Sequence, residues 1–202
     1  ALDDPVHRFI PEWRNLGVYV SGVAGAFQTR PADAPMRMID LLRHTSGLTY
    51  GFQMRTNVDA AYRRGKVEPF EQAGGLDGFI DALGKLPLEF SPGAAWNYSI
   101  ATDVLGYLVE VISGQKFEDF LQQRIFGPLG MTDTAFHVSE DKLGRFTECY
   151  SIGGDGKLAA AFAGAQQEAV ELELKDEQAK RRLTAVKHRD VVDAEEHELQ
   201  RR

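Results

Sequence analysis

The apolar positions of this chain fall into two regimes. As far as about Ala160 they recur at spacings that predict elements, and after Ala165 they thin out among Glu, Lys, Arg and Gln. Met38, Leu41 and Leu42 predict a helix within Met36 to His44. Arg43 and His44 occupy its last turn, where cations favour the helix dipole, and Gly47 offers a left-handed stop. Leu76, Phe79, Ile80 and Leu83 predict a second helix ending at Gly84. A third has Val104, Leu105, Leu108, Val109 and Ile112 as its buried face, Ser99 as expected N-cap and Gly114 as stop. A fourth carries Phe117, Phe120, Leu121 and Ile125 and ends at Gly127-Pro128. Between these lie a short strand or packed loop over Val18 to Phe27, an extended Leu86 to Phe90, and a type II turn at Ser91-Pro92-Gly93-Ala94. Gly153 to Lys157 predicts a hairpin turn, and Asp3 to Trp13, with two prolines and an Asp pair, an irregular surface run.

The expected fold class is therefore mainly α with minor β: helices joined by long ordered loops, with strand beginning near Tyr150. We expect residues 1–160 to form one globular domain and residues 161–202 a charged tail, helical or disordered. The apolar spacing there, Leu172, Ala179, Leu183 and Val186, is too weak for a coiled-coil seam. No internal repeat or low-complexity tract occurs.

With 202 residues and 43% hydrophobic positions, the chain has enough apolar material for one real core. A net charge of −7, with no Lys/Arg cluster before the tail, argues against a nucleic-acid partner. No apolar stretch is long enough to span a membrane. One cysteine, Cys149, excludes an internal disulfide and a thiolate metal cluster, and is best read as a small core residue. His7, His137, His188 and His197 lack metal-ligand spacing, and no cofactor is implied. The chain begins with Ala1 and carries no signal-like segment, so compartment is unreadable, with the cytoplasm marginally favoured over the periplasm.

Three segments carry a resemblance. They are Leu41-Leu42-Arg43-His44-Thr45-Ser46-Gly47-Leu48, then Pro92 to Ser99 continuing through Asp103 to Gly114, and Ile125 to Thr134. In order and spacing they resemble the class C β-lactamase and penicillin-binding-protein-like serine hydrolases, most of all the family VIII carboxylesterases. Leu2-Asp3-Asp4-Pro5-Val6 and Ile10-Pro11-Glu12 match as well. The resemblance implies that this chain is the helical subdomain portion of that α+β fold, cut at both ends. It also implies acyl transfer through a serine ester intermediate on a small-molecule ester or amide substrate.

In that family a Ser-x-x-Lys helix supplies the nucleophile, and a tyrosine motif completes the proton relay. Tyr98-Ser99-Ile100 matches the tyrosine motif, which makes Tyr98 the candidate catalytic residue. A phenol titrating near pH 10 is a poor base at neutral pH, so the relay needs a nearby lysine cation or a helix N-terminus to favour the phenolate. Ile100 stands where the β-lactamases have asparagine, which shifts the expectation from β-lactams toward simple esters.

Two Ser-x-x-Lys sequences occur, Ser113 to Lys116 and Ser139 to Lys142. Both are expected to be false. Gly114 breaks the helix needed to converge the first pair, and acidic neighbours would hold the lysine of the second as a cation. In the family the motif precedes the Leu-Asp-Asp-Pro-Val-like segment, which puts the nucleophile upstream of Ala1. No Lys-Thr-Gly occurs either. The His44-Thr45-Ser46 run is expected to be structural, ordering the cleft wall. Two other assignments compete: a β-lactamase or D-amino-acid peptidase, and a non-catalytic remnant or interaction fragment. Oligomeric state is not legible.

Overall fold

The computed structural model describes residues 1–67, 74–147 and 150–160. Cys149 and the tail from residue 161 onward, with His188 and His197, lie outside the described residues. The chain divides into two units, Ala1–Thr132 and Asp133–Arg202.

The first unit holds the core. It opens with two 3-10 turns, Val6–Arg8 and Pro11–Asn15. Val6, Ile10 and Trp13 are buried, and the indole Nε1 of Trp13 donates to the Ile80 carbonyl at 3.4 Å. The expected surface run is therefore an anchor for the core. A hairpin of β1 (Val18–Ser21) and β2 (Gln28–Arg30) follows, antiparallel, with a register irregularity between Tyr19 and Ser21. Val18 also makes a parallel bridge to Leu88, inside the expected extended segment, which bends at Leu86, Glu89 and Phe90.

Helix α1 is short, Met38–Leu42. Asp40, at its third position, is buried and accepts from the Arg37 backbone N–H at 2.9 Å. The left-handed residue that ends the helix is His44 (φ 56°), with Gly47 (φ 87°) making a second reversal in the following loop. Helix α2 (Asn57–Gly65) was not expected from apolar spacing; Thr56 and Asp59 form a capping box at its start. Helix α3 (Gly75–Leu83) buries Phe79, Ile80 and Leu83 as predicted.

Helix α4, Ala101–Ser113, is the longest described element and spans about 20 Å. It buries Ala101, Val104, Gly106 and Leu108, and a left-handed Gly114 (φ 69°) ends it. Its N-cap is Ile100 rather than Ser99, because the Ser99 hydroxyl is held by another residue. Helices α1 and α3 pack on α4, and so does α5 (Phe117–Leu121), which runs on as a π turn over Gln122–Phe126. Leu41, Leu48, Val58, Tyr62, Leu88 and Ile100 complete the core.

The second unit, in its described part, has a 3-10 turn at Glu140–Arg145 and a hairpin of β3 (Tyr150–Ile152) and β4 (Leu158–Ala160). The hairpin turns where Gly153 and Lys157 predict it. The architecture is mainly α with minor β. Among the described residues no helix is long and apolar enough to cross a membrane.

Candidate active site

Tyr98 sits two residues ahead of the N-cap of α4, on a loop that begins at the predicted turn. The Ala94 N–H donates to the Ser91 carbonyl at 3.0 Å and Gly93 has φ 85°, as a type II turn requires. From there five backbone groups of the loop are tied to residues 44–53. The Gly93 N–H donates to the Thr45 carbonyl at 2.8 Å, the Asn97 N–H to the His44 carbonyl at 2.9 Å and the Ile100 N–H to the Thr49 carbonyl at 3.3 Å. The Gln53 side-chain amide donates to the Tyr98 carbonyl. Two of the three sequence segments that carry the resemblance are thus one spatial unit. The third follows α5, past the far end of α4.

Side chains in the loop alternate. Asn97 and Ser99 are 5% and 0% exposed, whereas Tyr98 between them is 49% exposed. Asn97 is a hub: its Nδ2 donates to the Leu48 carbonyl at 3.1 Å and to Glu89 Oε2 at 2.9 Å, and its Oδ1 accepts from Arg55 Nη2 at 2.5 Å. Glu89 in turn accepts from the Thr56 hydroxyl at 2.6 Å. Buried polar groups satisfied this completely fix one backbone conformation.

The phenol of Tyr98 lies in a strip of aromatic rings. His44 is 5.0 Å away between centroids and Tyr50 5.2 Å; Tyr50 stacks on Phe52 at 4.9 Å, and His44 meets Trp96 edge-on at 6.3 Å. The Tyr50 hydroxyl donates to Asp103 Oδ2 at 3.2 Å. Burial pushes the Asp103 carboxyl above its ordinary value, and that hydrogen bond opposes the shift only in part. The Tyr98 side chain itself is half-exposed.

In both Ser-x-x-Lys sequences the lysine pairs with a carboxylate. The Ser113 hydroxyl donates back to the Val109 carbonyl at 2.6 Å, and Lys116 pairs with Glu110 at 3.2 Å. In the second unit Lys142 lies 3.4 Å from Asp133. The Asp133 carboxyl is lowered to about 2, by hydrogen bonds from Arg145 and then from Lys142. Ser46 is fully buried, and its hydroxyl accepts from the Leu48 N–H at 3.4 Å.

The Beta-lactamase family profile matches residues 1–183. The chain belongs to the Beta-lactamase family. Protein Rv1367c of Mycobacterium tuberculosis is 39% identical over 158 residues, which are 78% of this chain and 38% of that protein. Esterase EstB of Burkholderia gladioli is 34% identical over 162 residues, 76% of this chain and 36% of EstB. Among solved structures, the simvastatin synthase LovD of Aspergillus terreus superposes with a TM-score of 0.65 at 29% identity, over 83% of this chain and 41% of that one. The chain therefore spans well under half the length of the curated relatives it matches.

Within a Beta-lactamase family chain, Ile100 takes on a different meaning. It is 0% exposed, packed in the core, and shows nothing to a substrate. Its apolar character follows from packing, so it carries no information on ester against β-lactam. The sequence placed His44 in a structural run but did not reveal its contact to Ser99: His44 Nδ1 accepts from the Ser99 N–H at 3.3 Å and lies 3.2 Å from Ser99 Oγ. No local pattern links positions 55 residues apart.

Proposed function

We propose that this chain is the tyrosine-bearing part of a serine hydrolase that cleaves small-molecule esters through an acyl-serine intermediate, with Tyr98 as general base. The observation that carries this reading is the half-exposed phenol of Tyr98 at the head of α4, on a loop tethered at residues 97, 98, 99 and 100. Such a loop meets the first demand of acid–base catalysis, a proton acceptor held in one place. Family membership supports the serine mechanism. Relatives named as an esterase and as a methylbutanoyltransferase favour acyl transfer.

In this reading the Tyr98 oxygen takes the proton of a serine hydroxyl as that oxygen bonds the substrate carbonyl carbon. The proton then passes to the departing alkoxide as the C–O bond breaks, and water repeats the sequence to release the acid. The serine and its lysine are supplied by a segment outside these residues. The described part corresponds to the helical subdomain of the family's α+β fold.

The test compares p-nitrophenyl butyrate with nitrocefin, using the full-length polypeptide that contains this chain. Turnover of the butyrate ester with little nitrocefin hydrolysis is expected. Preference for nitrocefin would overturn the ester assignment, and failure on both substrates would overturn the hydrolase reading. This chain alone should form no acyl adduct; a stoichiometric mass shift with the ester would contradict the external nucleophile.

A further inference from the structure

We propose that His44 is a positioning residue that aims the Tyr98 phenol, an inference that rests on Tyr98 being the general base. The geometry is a bracket. With its carbonyl His44 accepts the N–H of residue 97 at 2.9 Å, and with ring Nδ1 it accepts the N–H of residue 99 at 3.3 Å. One residue thus holds both neighbours of Tyr98. In an extended stretch successive side chains point to opposite sides, so tying 97 and 99 inward turns 98 outward.

Two further features single out this residue. First, with the ring proton on Nε2, Nδ1 accepts the Ser99 N–H at 3.3 Å and lies 3.2 Å from the Ser99 hydroxyl, which can donate to it as well. The ring plane meets the Tyr98 ring at 56° with centroids 5.0 Å apart. Second, His44 has φ 56°, a left-handed conformation that L side chains adopt only at a cost. That conformation is what carries the chain from α1 back under the tyrosine loop, so carbonyl and ring face the same segment. Glycine would meet the backbone demand without strain, yet it would supply no ring acceptor.

Hence the side chain is separable from the backbone. His44→Gly keeps the left-handed turn and removes Nδ1. His44→Asn places an amide oxygen at the position of Nδ1, does not titrate, and tolerates left-handed backbone. In the full-length polypeptide, assayed with p-nitrophenyl butyrate, His44→Gly should lower kcat about 10- to 100-fold with KM within about threefold, as expected when a catalytic group is misplaced by about an ångström. His44→Asn should stay within about threefold of the parent kcat.

An unchanged kcat in His44→Gly, or an Asn variant as impaired as the Gly variant, overturns the proposal. Tyr98→Phe is the companion measurement. Full turnover there overturns the reading of Tyr98 itself, whereas loss in Tyr98→Phe with an unaffected His44→Gly overturns only the role of His44. Imidazole 15N shifts of this chain, without any substitution, supply a readout independent of how the variants fold. An unprotonated Nδ1 with a protonated Nε2 is expected, and the opposite tautomer overturns the bracket.

Discussion

Asn97→Ala should be among the most damaging truncations outside the apolar core. The side chain is buried and makes three hydrogen bonds: to the Leu48 carbonyl, to the Glu89 carboxylate, and from the Arg55 guanidinium. Two of these involve a charged partner, worth about 1.5–3 kcal/mol each, and the third is a neutral bond of about 1 kcal/mol. Arg55 is exposed and Glu89 half-buried, so water recovers part of those two bonds and the loss is about 2–3 kcal/mol. For a unit of 132 residues this corresponds to a drop of about 7–11 °C in Tm. Urea denaturation of this chain followed by circular dichroism is the assay, with the change read from the midpoint at constant m-value. Asn97→Asp is the sharper companion. It is nearly isosteric with asparagine but sets a second carboxylate against Glu89, so its deficit should shrink on acidification. A loss below about 1 kcal/mol in Asn97→Ala would show that the network under Tyr98 does not hold the loop as argued.

Two further outcomes follow from the same architecture. Gly47→Ala adds a Cβ that would stand 2.3 Å from the Phe90 carbonyl oxygen at a φ of 87°; a loss above about 2 kcal/mol is expected, and melting alongside the parent would contradict the close approach. For Asp59, burial raises the carboxyl. The Arg55 and Thr56 N–H bonds and the Arg63 side chain outweigh burial, so the group titrates below its ordinary value in the folded chain. Its contribution is therefore complete above the ordinary carboxylate range and is lost as pH falls through and below it. Asp59→Asn breaks the 2.7 Å pair with Arg63, which is 34% exposed, so it should cost about 2–3 kcal/mol at pH 7 and progressively less as pH falls through and below the ordinary carboxylate range. A gap that does not narrow with acid would refute the assignment.

Local signals were legible and long-range ones were not. Helix α4 with its Gly114 stop, the turn at Ser91 to Ala94 and the hairpin at Gly153 to Lys157 each follow from residues within a few positions of one another. The N-terminal run was misjudged because its prolines and Asp pair outweighed Val6, Ile10 and Trp13, whose spacing of four and then three already traced a buried face. Helix α2 announced itself only through Thr56 and Asp59, a capping pair without a strong apolar run. Ser99 has the composition of an N-cap, but its hydroxyl is taken up by His44 across the fold. Likewise Tyr98 stood out through its motif, while the residues that hold it, His44, Gln53, Arg55 and Glu89, belong to segments with no sequence link to it.

The central claim is that Tyr98 removes the proton from the serine nucleophile. Its most direct test is the acylation rate of the full-length polypeptide, read as a pre-steady-state burst of p-nitrophenol, with Tyr98 and with phenylalanine in its place. Phenylalanine keeps the ring contacts to His44 and Tyr50 and removes only the hydroxyl. The account predicts a burst rate lower by about 10²- to 10⁴-fold with substrate binding little changed. A Tyr98→Phe burst as fast as the parent's would contradict it.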